Sequence, residues 1–334
     1  MSADVDLDAV ARRAGEAASA NEGPGSVVRD IEPLPGGHSG LTLGASLIAP
    51  SGASRRIALK VAPPGRPAVG RHDVLRQARL LTAISRSGAA VAVPEMLFSL
   101  DEPPLFAMSW VEGEAVEPVL DDVDLPAELT EVRALGASRM LAALHDISPA
   151  LVNIDEAEPV LSIADDLDRW SKTMNAIDPD LRPRAGELRE ELLGRLPTQI
   201  TPSIVHGDYR LGNILCSGPD LRGLIDWEIW SIGDPRIDLG WFMVFTSPEH
   251  FPGASYPAPG MPTEQALLHE YEAVRGPIEE WPWFSAFGRF KMAAIMGHNL
   301  KRHREGRHHD PYQETLPPTI LSLVDQGLEI LRRS

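Results

Sequence analysis

Residues Ser203–Phe245 read SIVHGDYRLGNILCSGPDLRGLIDWEIWSIGDPRIDLGWFMVF, and the fold and the chemistry are both read from this stretch. A short apolar run, Ser203–Val205, ends in His206-Gly207-Asp208, and Asn213 lies five residues after Asp208. A second run, LRGLI, ends in Asp226, thirteen residues after Asn213. Short apolar runs bounded by Gly and Asp read as buried strands. Three acceptor side chains therefore sit at strand ends, at the mouths of loops, where a polar ligand can meet them. Asp and Asn oxygens are hard donors suited to Mg²⁺. A carboxylate beside them can orient a hydroxyl and take its proton during transfer to phosphorus. Taken singly, Asp208 and Asn213 are also ordinary loop formers through Asx turns.

Upstream, VVRDIEPL (27–34), LTLGASLIA (41–49) and RRIALKVA (55–62) are short apolar stretches separated by Gly36-Gly37-His38-Ser39-Gly40 and by Ser51-Gly52. Their lengths and bounding residues favour antiparallel strands. EMLFSL (95–100) and PLFAMSWV (104–111) add two more, and the spacing of DVLRQARLLTAIS (73–85) predicts a helix. Residues 5–19 predict a further amphipathic helix. After residue 126 the pattern turns helical, at about 126–147, 163–176, 183–196, 236–246, 263–275, 279–303 and 315–332, with short strands near 203–205, 214–216 and 221–225. This layout is α+β: an N-terminal lobe (1–112), an acidic irregular hinge (113–125) and a larger, mainly helical C-terminal lobe (126–334).

Composition narrows the functions open to such a chain. The 334 residues carry a net charge of −17, which argues against a nucleic-acid partner, since that requires a basic footprint. The acidity is uneven: residues 1–112 hold 11 Lys+Arg against 12 Asp+Glu, so nearly all the excess lies beyond them. One cysteine, Cys216, excludes a disulfide framework or a Cys-based zinc site. The ten histidines lack H-x-x-x-H or H-x-H spacing, which counts against a zinc hydrolase. Apolar runs such as Leu239–Phe245 are too short to span a bilayer, so no membrane is expected. The start, MSADVDLDAV, lacks a basic-then-apolar leader pattern, so a cytoplasmic location is expected.

His206-Gly207-Asp208-x-x-x-x-Asn213, Ile225-Asp226 and Gly233-Asp234-Pro235-x-x-Asp238-Leu239, in this order and at these distances, resemble the aminoglycoside phosphotransferase family. That family is the small-molecule branch of the protein-kinase-like fold that also includes choline kinases. The resemblance covers roughly residues 30–300. It implies a bilobal protein-kinase-like fold with a small antiparallel β-sheet lobe carrying a helix. It further implies ATP and Mg²⁺ as cofactors and a small-molecule hydroxyl as acceptor, with the chain a monomer or homodimer. Asp208 would be the catalytic base, and Asn213 and Asp226 would hold Mg²⁺. His206, Asp234 and Asp238 would be scaffold, with Asp234 capping the helix that opens after Pro235.

On the nucleotide side, the resemblance assigns Gly36, Gly37, His38, Ser39 and Gly40 to a phosphate-covering loop, where glycine lets backbone N–H groups approach phosphate oxygens. Lys60, at the end of IALKV, echoes the kinase V-A-I-K strand and would reach the α/β-phosphates. Met108, Ser109, Trp110 and Val111 fit a segment whose backbone meets the nucleobase. The usual Lys-pairing Glu is missing, since no Glu lies between Glu32 and Glu95. The aligned position is Gln77, and Gln77, with Asp73 one turn earlier, is expected to hold Lys60. A neutral amide accepts a hydrogen bond but does not neutralise charge, so an alternative reading is a weak or inactive, pseudokinase-like nucleotide-binding module. The acceptor side is less legible. Trp283, Phe287 and Phe290 form a stripe that reads as core, while Lys301–Arg304 with Arg307-His308-His309, and Asp165, Asp166 and Asp168, read first as solvated faces.

Overall fold

A computed structural model of the chain describes residues 6–34, 41–63, 65, 70–152 and 158–334. The chain forms two compact units, residues 1–113 with Arg222–Ile229, and Glu114–Leu221 with Trp230–Ser334. Residues 222–229, assigned by sequence to the C-terminal lobe, thus cluster with the first unit.

Unit 1 opens with helix α1 (Leu7–Asn21), whose first turn is capped by the Asp6 carboxylate accepting from the Ala9 amide at 3.0 Å. Strands β1 (Val27–Pro33), β2 (Leu41–Ile48) and β3 (Ser54–Val61) follow. Next come helix α2 (Val74–Ser87) and strands β4 (Met96–Leu100) and β5 (Leu105–Ser109). The strands form one sheet in the order β1-β2-β3-β5-β4, antiparallel throughout. The central strand β3 is exposed at Ser54–Arg56 and then buried from Ile57 to Val61. Side chains alternate across a sheet, so Ile57, Leu59 and Val61 share one face, in a core with Leu43, Leu47, Leu105 and Ala107 and with Val10, Ala14 and Ala18 of α1. Lys60 belongs to the opposite face, at a register position opposite Thr42 and Phe106. Asp73 caps α2 by accepting from Leu75 and Arg76, and Gly88 ends it at φ 72°, the left-handed conformation that glycine adopts without penalty.

Unit 2 contains α3 (Ala127–His145), α4 (Ile163–Asn175) and α5 (Ala185–Gly194). Short strands β6 (Ser203–Val205), β7 (Ile214–Ser217), β8 (Asp220–Leu224, from Arg222 on part of unit 1) and β9 (Ser231–Gly233) follow. The last helices are α6 (Arg236–Val244), α7 (Glu264–Arg275), α8 (Trp281–Arg304) and α9 (Pro317–Arg333). Strand β9 is absent from the sequence reading, because three residues, Ser-Ile-Gly, carry no strand periodicity of their own; it exists by pairing with β6 in register 203↔233, 204↔232, 205↔231. Helix α8 is apolar nearly all round and forms the centre of the core, packed against α4, α6 and α9. Trp283, Phe287 and Phe290 are buried there as structure. Where α6 crosses α8, glycine is obligatory: a Cβ at Gly288 would lie 2.3 Å from the Gly240 carbonyl oxygen. Among the described residues, no helix is long and apolar enough to cross a membrane.

Candidate active site

The candidate residues fall in both units. In unit 2 the β6–β9 pair sets the geometry. Val205 leads into His206-Gly207-Asp208, and Gly233 leads through Asp234 and Pro235 into α6, so the first turn of α6 and the loop after β6 are brought together. Asp238 in that turn is fully buried. Its Oδ2 accepts from the His206 amide at 2.5 Å and its Oδ1 from the Gly207 amide at 2.8 Å. His145 lies 3.3 Å away through Nε2, and its Nδ1 is 2.8 Å from the Tyr271 hydroxyl. Burial lowers the His145 pKa, outweighing the opposing pull of Asp238, so the imidazole is the neutral donor of the pair. Gly207 adopts φ 87°, which strains any other L-residue.

These contacts aim Asp208. Its Oδ1 accepts from Trp241 Nε1 at 2.9 Å, and its Oδ2 accepts from Asn213 Nδ2 at 2.9 Å. Asn213 Nδ2 also donates to the Asp208 carbonyl at 2.8 Å, and the Asp208 amide donates to His206 Nδ1 at 3.2 Å. The carboxylate side chain nonetheless keeps 25% exposure, which is what a group meeting a substrate requires. With Nδ2 committed to Asp208, Asn213 offers its Oδ1 as the possible metal ligand. Asp234 caps the start of α6, as expected, its Oδ1 accepting from the Arg236 amide at 3.0 Å, and the same carboxylate is also gripped by the Arg236 guanidinium through Nε at 3.0 Å and Nη2 at 2.7 Å.

Four residues of unit 2 escaped the sequence reading. Lys291 is a buried cation on α8 whose Nζ donates to the Gly207 carbonyl and lies 4.1 Å from the Trp241 ring centroid. Burial pushes its pKa down to about 8, while Asp238, Asp208 and Asp166 pull the other way. Trp241 itself looks like core. Glu117 accepts from the Gly212 amide at 3.1 Å, and Arg210 lies 3.7 Å from the same oxygen and 3.5 Å from Asp208. Burial raises the Glu117 pKa to about 7, more than Arg210 and the Gly212 amide lower it. A charge inside an apolar helix, or one acid in an acidic linker, leaves no mark in a single sequence.

In unit 1 the expected partner of Lys60 requires correction. Lys60 Nζ lies 3.0 Å from Glu228 Oε1, with only 7% and 11% of the two side chains exposed. Gln77 is buried and its Nε2 has no hydrogen-bond partner among the described residues. Asp73 is committed to the α2 cap and to Arg79, at 3.3 Å. The carboxylate comes from the turn Trp227–Ile229, 168 residues away, beyond the reach of a search confined to the following helix. Asp226, two residues before Glu228, is exposed and has φ 65°, a left-handed conformation rarely adopted without cause by a non-glycine residue.

The segment expected at the nucleobase lies at the end of β5. Met108 is half-buried and opposite Ala58 and Met96. The Ser109 amide donates to the Glu95 carbonyl at 2.8 Å and its hydroxyl accepts from the Glu95 amide at 2.9 Å, so that amide is already spent. The Arg56 guanidinium stacks 3.7 Å from the Trp110 ring centroid, and Val111 packs where a side chain on Gly223 would sit. The loop Gly36-Gly37-His38-Ser39-Gly40 lies outside the described residues. Away from these positions, Arg304 pairs with Glu314 and Asp178, Asp165 completes the α4 capping box, and Asp168 pairs with Lys172, all as local surface contacts. Asp166 faces Lys291 and Arg169.

The model of the Phosphotransferase enzyme family matches residues 30–281. Acyl-CoA dehydrogenase family member 10 of Mus musculus is 25% identical over 275 residues, covering 76% of this chain and 25% of that protein. The chain therefore spans about a quarter of that relative's length. A Ralstonia eutropha protein assigned to the aminoglycoside phosphotransferases superposes with TM-score 0.78 at 21% identity, covering 98% of each chain. The GDP complex of aminoglycoside 2'-phosphotransferase-IIIa superposes with TM-score 0.61 at 15% identity over 97% of each chain. These superpositions show a kinase-like fold, and with a family match over three quarters of its length the chain belongs to the phosphotransferase enzyme family.

Proposed function

We propose that the protein transfers the γ-phosphoryl group of ATP to a hydroxyl of a small molecule, with Asp208 as the base. The observation that carries this reading is the state of Asp208, a carboxylate fixed by Trp241 and Asn213 and still a quarter exposed. The acceptor hydroxyl donates its hydrogen bond to Asp208 and loses its proton there as its oxygen bonds to the γ-phosphorus. The bond from that phosphorus to the β–γ bridging oxygen breaks, and ADP leaves. The transition state of such a transfer is loose, so holding the reactants and neutralising their charge matter more than activating the nucleophile. Lys60 meets the phosphates as a point charge.

The donor set fits Mg²⁺. No cluster of three or more His, Cys, Asp or Glu able to hold a metal occurs among the described residues. Mg²⁺ is commonly held by one or two protein oxygens together with nucleotide phosphates, without an all-protein cage. Asn213 and Asp226 would be those ligands, and the ion supplies charge neutralisation on the phosphate oxygens. The inactive, pseudokinase-like reading drew its support from the neutral Gln77; a carboxylate on Lys60 takes that support away.

The test is a screen of hydroxyl-bearing metabolites and antibiotics against the purified chain, read by ADP release. Acceptor-dependent release is expected for at least one class. Tight Mg-nucleotide binding with no release across a broad panel would instead favour a binding module.

A further inference from the structure

Helix α2 carries no acidic residue, and Asp73 at its start is already committed, so Lys60 takes its carboxylate from elsewhere. That source, Glu228, lies on a turn fastened within unit 1. The Leu224 amide donates to the Ala92 carbonyl at 2.7 Å, the Trp227 indole donates to the Leu224 carbonyl at 2.9 Å, and α2 packs against the turn. Burying two opposite charges costs solvation that mere stability seldom repays, so the pair is better explained by what it positions.

We propose that Glu228 is the positioning residue of Lys60, holding its ammonium where the nucleotide phosphates arrive and doing from the metal-side turn what a helix carboxylate would otherwise do. Phosphate and metal recognition in unit 1 are then tied to one rigid element, because Glu228 and Asp226 are two residues apart. The inference rests on the phosphotransfer reading and deepens it. The competing role for Glu228 is that of a direct Mg²⁺ ligand, and the two roles separate when nucleotide binds without metal.

The experiment is calorimetric titration of ADP, with and without Mg²⁺, into the wild-type chain, Lys60→Met, Glu228→Gln, the double variant, and Glu228→Gln carrying Gln77→Glu. Loss of the charge-assisted contact should weaken metal-free ADP binding about tenfold in Glu228→Gln. The double variant should bind no worse than Lys60→Met, and Gln77→Glu should restore part of the loss from helix α2. Additive losses in the double variant would overturn the proposal, as would a Glu228→Gln defect confined to titrations containing Mg²⁺. Should Glu228→Gln fail to fold, Glu228→Asp, one methylene shorter, must still show a partial metal-free loss, and unchanged affinity there counts against the pairing. A wild-type chain that binds no nucleotide would overturn the phosphotransfer reading itself, a result distinct from these.

Discussion

The loop of unit 2 that carries Asp208 and the turn of unit 1 that carries Asp226 are built in opposite ways. Asp208 is fixed by two side-chain donors, and its loop is anchored below by Asp238, His145 and Lys291, all buried. Asp226 is exposed, sits at φ 65°, and is followed by one buried ion pair. In the proposed mechanism Asp208 is thus preorganised before any ligand arrives, as electrostatic catalysis requires. The turn carries local strain of the kind that accompanies ligand sites. Redundant contacts fix the Asp208 loop, whereas a strained backbone conformation marks the Asp226 turn.

The contrast breaks first at Asp238. Asp238→Ala strips two buried amides and an imidazole of their acceptor, so a loss of about 3 kcal/mol or more in unfolding free energy is expected. Denaturant melts measure it, and a loss below about 1 kcal/mol would mean that the loop is not anchored there. Glu117 gives a smaller, pH-dependent effect. Its carboxyl titrates near 7 when folded and at its ordinary value when unfolded, so the folded state holds the extra proton between those values. Its contribution to stability is full below the unfolded pKa and is lost as pH rises toward about 7, up to ~3 kcal/mol in all. Glu117→Gln should flatten the slope of stability against pH over that window; an unchanged slope would place the titration elsewhere.

The smallest effect has the opposite sign. Asp226→Gly relieves the left-handed strain and should raise stability by up to about 1 kcal/mol, while metal-dependent nucleotide binding falls. A variant that is less stable and binds Mg-nucleotide normally would show Asp226 to be structural, and the loop and the turn to be built alike.

What a single sequence reveals follows the same division. The strands of unit 1 were legible because glycine and proline bound short apolar runs, and α6 because a helix opens after Pro235. Asp208 and Asn213 were legible because their separation is local, and the hydrogen bonds between them span only five residues. Lys60 was legible but its partner was not, since Glu228 reaches it through tertiary folding across 168 residues. Lys291 and Trp241 were hidden inside apolar helices, where burial, the property that makes them influential, also makes them look like core. Residues 222–229 change units for a comparable reason: local pattern shows a strand and a turn, and only packing shows against what.

The measurement that bears most directly on the whole account is Asp208→Asn, which keeps the shape of the side chain and removes its capacity to take a proton. Acceptor-dependent ADP release should fall by about a thousandfold, while ADP affinity measured by calorimetry stays at the wild-type value. Turnover close to wild type in a folded Asp208→Asn protein would contradict Asp208 as the base and leave the arrangement around it without a chemical purpose.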